Sequence, residues 1–335
     1  MEKMKERIKQ MPKTEIHVHV EGATTPETMW EIAKRNKIKL PAKSLEEWKS
    51  FYAFKDFKHF IEIYILAATS LKTADDYAFL LEEFCRYQAS QNILYTEAFL
   101  SASLFVNKIP TAEMLKAIKA GLKRGQEKYQ VEVALLPDIS REQPKTQKKV
   151  LDFVLEGFHE KVFLGLGLGG IEDGFPPELF TETFAQARAA GMHVVAHAGE
   201  NMGPESIRGS IESLKAERIG HGIRCLEDPK VVELLRKTQT PLEVCPTSNY
   251  CTGVVKKGEP HPLKKILEAG VYCTINSDDP PMFMTSLTQE YLYLLETGFS
   301  WEQIWQLNCN NLKATFLSSQ RKNTLMKKWD EFYKS

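Results

Sequence analysis

The sequence predicts an α/β protein of the (β/α)8 TIM barrel class, with additional helices after the first strand and at the C-terminus, built as one domain over residues 1–335. Three observations predict it. Eight short apolar segments are separated by helical segments, a spacing that suits parallel pairing of successive strands. Two of the helical segments stop at a glycine, Gly191 and Gly270, the usual left-handed terminator. Histidines and carboxylates collect at the C-terminal ends of the apolar segments, where barrels of this class carry their chemistry. An open doubly wound sheet is the competing arrangement.

The first strand is Glu15–Val20, within T-E-I-H-V-H-V-E-G at Thr14–Gly22. Residues two apart on a strand point the same way, so His17 and His19 project together. They make half of a metal site, which needs ligands from elsewhere and an open position for water. Thr25 then caps a helix with Pro26 at its first position, with Met29, Ile32 and Ala33 at helical spacing and Asn36 at its end. Phe51–Tyr87 is a helical insertion rich in aromatics. The steps of three and four through Phe54, Phe57, Phe60 and Tyr64 make most of them core. Because the insertion follows the loop after the first strand, some of them are also candidates to wall a substrate entrance.

The alternation then repeats. Ile93–Leu100 is the second strand, followed by a helix over Thr111–Tyr129, and Val131–Pro137 is the third. A helix near Thr146–Glu156 precedes Val162–Leu168, and the helix Glu178–Ala190 precedes His193–His197. A helix near Ser206–Ala216 leads to Arg218–His221, the helix Pro229–Lys237 to Pro241–Cys245, and the helix Pro262–Ala269 to Val271–Asn276. From Pro280 the chain reads as helical, including Trp301–Asn311 and a charged C-terminal helix. The run G-L-G-L-G-G at Gly165–Gly170 misses the G-x-G-x-x-G register of a dinucleotide loop, and no helix start follows it directly.

Lys plus Arg and Asp plus Glu each total 44, for a formal net charge of 0. No global field draws such a chain to nucleic acid or an anionic membrane, so a small neutral or mixed-charge ligand is expected instead. The first residues alternate charged with apolar side chains without a signal-type hydrophobic stretch, and no apolar run reaches spanning length. Six cysteines are scattered without C-x-x-C spacing, as reduced thiols are. A cytoplasmic location is the expectation.

On the barrel rim, His17 and His19 end the first strand, His197 the fifth and His221 the sixth, and Asp278 and Asp279 follow the eighth in N-S-D-D-P. Three imidazoles and a carboxylate, His17, His19, His197 and Asp278, would hold one divalent ion and leave a position for water. Glu200, three residues after His197 in H-A-G-E, brings a carboxyl suited to proton transfer to the same mouth. His59, His159, His193 and His261 fall in helical or non-rim positions and read as surface or packing histidines.

H-V-H-V-E-G, H-A-G-E, R-I-G-H-G and N-S-D-D-P, in this order over most of the chain, resemble the adenosine deaminase family of the amidohydrolase superfamily. The resemblance implies one Zn2+ per chain on His17, His19, His197 and Asp278. It implies that Glu200 protonates purine N1, that His221 orients or polarises the water at the metal, that Asp279 hydrogen-bonds N7, and that Gly170 offers its backbone to N3. Superfamily members with two metals bridge them by a lysine at the end of the fourth strand, and Leu166–Glu172 has none. Members acting on free adenine resemble G-L-D-S-S-E after that strand; here G-L-G-G-I-E at Gly167–Glu172 leaves space for a sugar. The implied reaction is hydrolytic deamination of a 6-aminopurine nucleoside, with adenine as the alternative. Glu21 stands where animal-type members carry an aspartate facing the ribose 5′-hydroxyl, and their Arg and Pro near Phe99 and Ala102 are missing. With P-L-E-V-C-P-T-S-N and I-N-S-D-D-P-P-M-F, the chain is most similar to bacterial members that deaminate 6-amino-6-deoxyfutalosine or adenosine, the former for menaquinone biosynthesis.

Overall fold

Eight strands form, in a computed structural model that describes residues 1–334. They are β1 (Lys13–Glu15), β2 (Ile93–Leu100), β3 (Glu132–Ser140), β4 (Gly165–Gly169), β5 (His193–Ala198), β6 (Arg218–His221), β7 (Leu242–Val244) and β8 (Cys273–Ile275). Neighbours pair in parallel in chain order from β1 to β8. The seam between β8 and β1 is stitched rather than laddered. Ile16 N–H donates to Asn276 Oδ1 at 3.0 Å, and Ser277 N–H to Glu15 Oε1 at 2.9 Å. Asn311 Nδ2 donates to the carbonyls of Thr14 and Ile275 on the two sides. The sheet therefore nearly closes into a (β/α)8 barrel, and the open doubly wound alternative is excluded.

The first strand is shorter than its apolar pattern predicts. Only Lys13–Glu15 ladders, and the expected Glu15–Val20 strand continues as an extended segment held by single bridges, Val18 to Asp278 and His19 to Phe99. The reason is the seam, where a backbone must be shared between the end of β2 and the turn after β8. Two histidines are thereby anchored from both sides, with His19 N–H donating to Asp278 O and Phe99 N–H to Val18 O. At the other extreme β3 runs three residues past Pro137. Pro137 is the last residue paired to β2 and Asp138 the first paired to β4, so the missing N–H falls where the strand changes partner.

Helices cover the outside. Thr25 caps Pro26–Arg35 through Thr28 N–H, and Thr73 with Asp76 makes a reciprocal capping box on Ala74–Ser90. Two helices lie outside the segments expected from the sequence, Glu2–Gln10, whose Met4 and Ile8 recur at helical spacing, and the six-residue Pro246–Cys251 after β7. The expected Ser206–Ala216 helix is a short α-helix, Pro204–Gly209, running into a π-turn that stops at Lys215 with φ +57°. The main core lies between strands and helices, with Leu135, Leu166, Val194, Ile219, Leu242 and Ile275 buried. A second apolar cluster joins the insertion to the turn after β8, around Trp48, Tyr52, Phe60, Ile63, Met282 and Phe283.

The barrel interior is ionic below the site. Arg218 of β6 donates from Nε to Glu243 of β7 at 2.6 Å and from Nη1 to Glu97 of β2 and to the Ala314 carbonyl, with its guanidinium over the Phe316 ring at 3.9 Å. Strands two and six lie on opposite walls of an eight-stranded barrel, so this bridge crosses the lumen. Burial opposes the charge on Arg218, but Glu97 and Glu243 outweigh it and raise its pKa. A buried pair of this kind is costly to break, about 3–5 kcal/mol when one partner is removed.

Candidate active site

His17, His19, His197, His221, Asp278, Asp279 and Glu200 meet at the C-terminal end of the barrel. The donor atoms of His17, His197, His221 and Asp278 all lie within 4.8 Å of one another. His19 Nε2 is 3.1 Å from His197 Nε2 and 3.3 Å from Asp278 Oδ1. Two of these residues hold unusual backbones, His221 at φ +60° and Asp278 at φ +64°. Left-handed non-glycine residues cost about 1–3 kcal/mol each and persist where the surroundings demand them.

Hydrogen bonds on the far side of each ring determine what it presents to the site. His197 Nδ1 faces the Leu168 carbonyl at 2.9 Å, which can only accept, so Nδ1 carries the proton and Nε2 offers a lone pair. His17 Nδ1 sits 2.7 Å from Glu243 Oε2, which leaves its Nε2, buried and without a hydrogen-bond partner, as a second lone pair. His221 is arranged the other way. Leu263 N–H donates to His261 Nδ1, so His261 Nε2–H donates to Asn249 Oδ1; the Asn249 amide then donates to His221 Nδ1 at 3.1 Å, and His221 Nε2 carries the proton. That N–H points toward Glu200 Oε2 at 3.6 Å and Asp278 Oδ2 at 3.8 Å.

This donor set fits a divalent cation. Burial opposes protonation of His17, yet Asp278 and Glu243 outweigh it and raise its pKa to about 10, so the site's carboxylates call for positive charge at that spot. Asp278 is opposed by burial too, but the imidazoles of His17 and His19, 3.5 Å and 3.3 Å from its Oδ1, hold it well below the usual carboxylate range. Ser248 Oγ donates to its Oδ2 at 2.6 Å and orients it. A carboxylate behind a ligating histidine is a general device for orienting the ring and raising its basicity. Glu243→Gln is therefore expected to weaken metal binding about 10–100-fold, measured by competition with a chromophoric chelator. Unchanged affinity would mean that Glu243 serves only Arg218.

Glu200 is partly buried beside these groups, its side chain 13% exposed. Burial, reinforced by the charges of Asp278 and Glu172, pushes its carboxyl up to about 8, so it holds a proton at neutral pH. Its loop is tied down by Glu172, a residue that periodicity does not single out. The Glu172 carboxylate accepts from the backbone N–H groups of Gly199, Glu200 and Asn201, each at 2.9 Å, from Met202 N–H at 3.3 Å, and from the Ser206 hydroxyl. Asp279 is likewise buried, its Oδ1 without a partner, and burial and the charge of Asp278 raise it well above an ordinary aspartate. Gly22 is required here, because a Cβ would overlap the Asp279 carboxylate.

All of this opens into a cavity of about 500 Å3. Its inner wall is His19, His197, His221, Glu200, Asp278 and Asp279, with Gly170 at the side. Its outer wall is the insertion helix Phe57–Ser70, through Phe57, Phe60, Ile61, Tyr64 and Ile65. Phe57 and Ile65 remain 46% and 54% exposed, so part of the aromatic-rich segment lines the mouth, while Trp48 and Tyr52 are core and Phe60 joins the two. Glu21 is fully buried; its Oε1 accepts from Ser101 N–H at 3.1 Å, and burial pushes its carboxyl up to about 7. His193 lies outside the site, stacked on Phe316 with its Nδ1 against Glu217.

The family model described as adenosine deaminase matches residues 12–332. An adenine deaminase of Wolinella succinogenes is 38% identical over 96% of this chain and 98% of its own length. One of Geotalea uraniireducens is 35% identical over 96% and 92%. Among solved structures, adenine deaminase from Arthrobacter aurescens superposes with a TM-score of 0.89 at 30% identity, covering 97% of this chain and all of that one. An amidohydrolase from Burkholderia ambifaria solved with bound Zn has the same fold, with a TM-score of 0.88 at 24% identity over 98% and 92%.

Proposed function

The chain belongs to the adenosine deaminase family and is a hydrolytic deaminase of that family, and from this premise we propose that it replaces the C6 amino group of a 6-aminopurine by oxygen, releasing ammonia. One observation carries the reading: two imidazole lone pairs and Asp278 converge at the floor of a cavity in which Glu200 holds a proton and His221 an N–H. In the proposed site His17, His19, His197 and Asp278 would hold one Zn2+. Bound there, the ion supplies a water acidic enough to be a nucleophile near neutral pH.

The protein's own groups do the rest. Glu200 gives its proton to N1 as C6 loses aromatic character, which stabilises the charge that would otherwise build on the ring. His221 Nε2–H, fixed in that tautomer by Asn249 and His261, orients the attacking oxygen. Asp279, held protonated, donates to N7, and the Gly170 backbone meets N3. The atoms balance, because the purine and one water yield the 6-oxo product and ammonia.

What N9 carries has two readings. The names of the relatives support adenine, the alternative in the sequence analysis, ahead of the nucleoside placed first there. The cavity favours the nucleoside, because it extends from His19 and His197 to Ile61 and Ile65, well beyond a bare purine ring. Ammonia release from adenine, adenosine, 5′-methylthioadenosine and 6-amino-6-deoxyfutalosine under one set of conditions separates them. A clear preference for adenine discards the sugar. Preference for the 5′-extended compounds supports the longer ligand, and a tenfold preference needs only about 1.4 kcal/mol from contacts remote from C6. We place the enzyme in the cytoplasm; no helix among the described residues is long and apolar enough to cross a membrane.

A further inference from the structure

The segment that carries both a metal ligand and the acid, H-A-G-E from His197 to Glu200, turns at Gly199, whose φ of +68° is left-handed. Glycine adopts that bend without strain but does not hold it, so the stiffness between the His197 ring and the Glu200 carboxyl must come from outside the segment. Glu172 supplies one half of it, on the backbone N–H groups of Gly199, Glu200, Asn201 and Met202. The other half is Arg141, the residue after β3, which takes no part in the chemistry derived so far. Its side chain is fully buried, and its guanidinium meets two backbone carbonyls rather than a carboxylate. Nη2 donates to His197 O at 2.6 Å and Nη1 to Phe175 O at 2.7 Å. Burial opposes the charge and lowers its pKa to about 10, with Glu172 and Glu178 acting the other way, so it stays a cation at neutral pH. Taking a guanidinium out of water is costly, and a planar fork that spans two carbonyls is what arginine provides and the point charge of lysine does not. Phe175 ends the loop that carries Glu172. Arg141 therefore ties the start of the acid's turn to the loop whose carboxylate holds the rest of it.

We infer that Arg141 is a positioning residue: by joining the His197 and Phe175 carbonyls it locks the Glu172 loop against the Gly199 turn and sets the Glu200 carboxyl relative to the metal site. Its effect on turnover rests on the 6-aminopurine deaminase reading. The His197 ring is held separately, by Leu168 O at Nδ1, so losing Arg141 displaces the acid and spares the ligand. The strand register is spared as well, because Gly169 O accepts from the backbone N–H of residue 141, which a substitution keeps. The test uses the zinc-loaded full chain as wild type, Arg141→Met and Arg141→Lys, each with and without Glu200→Gln. It reads zinc content, kcat and KM for adenine and adenosine, and hydrogen exchange of the amides from Gly199 to Met202.

Arg141→Met is expected to keep one zinc per chain and to lose kcat by up to about 100-fold with KM little changed, the signature of a misplaced group that acts in the transition state. In the Glu200→Gln background the same substitution should cost about twofold or less, because no proton is left to misplace. Arg141→Lys keeps the charge without the fork and should lose less than Arg141→Met; where Arg141→Met does not fold, Arg141→Lys carries the same comparison. Amides from Gly199 to Met202 should exchange at least about tenfold faster in the variants than in wild type, with those of β2 unchanged. Equal losses of kcat in the two backgrounds would show a general packing role and overturn the inference. Zinc lost together with activity, or unchanged exchange at the turn, overturns it too. Should wild type release ammonia from neither purine, the deaminase reading falls, while the exchange measurement still decides whether Arg141 holds the turn.

Discussion

Glu200→Gln is expected to yield a folded, metal-loaded protein whose kcat is lower by about 10²–10⁴-fold, the usual cost of losing a positioned acid. The amide copies the carboxyl's shape but has no proton to give N1. The loop should stay in place, because Glu172 holds it through backbone N–H groups that the substitution does not touch. Metal content is read by elemental analysis and turnover by ammonia release. Near-normal kcat with metal retained would show that the proton reaches N1 from another group. His221→Ala is expected to be similarly damaging, since it removes the N–H that faces Glu200 Oε2. His193→Ala should leave kcat close to wild type, as that ring packs on Phe316 and Glu217 away from the cavity.

Removing the metal is expected to abolish turnover, and one equivalent of Zn2+ per chain should restore it. Among the described residues one cluster of donors converges, His17, His197, His221 and Asp278, with His19 Nε2 3.1 Å from His197 Nε2, and β4 ends in glycine with no lysine between Leu166 and Glu172 to bridge a second ion. Two metals per chain in active enzyme would sink the single-site reading. Thermal stability gives a readout independent of catalysis, because a ligand that binds only the folded state at about 1,000 times its Kd stabilises by about 4.1 kcal/mol. The stripped protein should melt earlier, and zinc should shift Tm back up. Cobalt or manganese is expected to substitute in part, since nitrogen and oxygen donors do not select zinc by themselves. His197→Ala should lose both the Tm shift and the activity, as it removes a ring whose tautomer the Leu168 carbonyl sets.

Much of this was legible in the chain because barrel chemistry is local to strand ends. A strand's period and a helix's stop are written in a dozen neighbouring residues, so β2, β6 and the helix Thr111–Tyr129 fall where their patterns place them. The residues that face the cavity floor follow from the same rule, since the C-terminal ends of parallel strands converge on one rim. The length of β1 was not legible, since the seam that shortens it depends on Asn276, Asp278 and Asn311, far away in sequence.

By itself, the sequence determined the order of eight strand and helix units and the histidines and acids at their ends, because each is specified by local periodicity and spacing. Only the tertiary structure decided what those groups can do. His261 reads as a surface or packing histidine, yet through Asn249 it sets the proton on His221. Glu243, inside the Pro241–Cys245 segment, turns the His17 lone pair toward the site while Arg218 holds it from below. Glu172 gathers the Glu200 loop from the end of the preceding strand, and Asp138 is left with a buried, unpartnered Oδ1 at the wall of the same cavity. Protonation, tautomer and unmet hydrogen bonds are properties of neighbours brought together across the barrel, and no repeat along the chain encodes them.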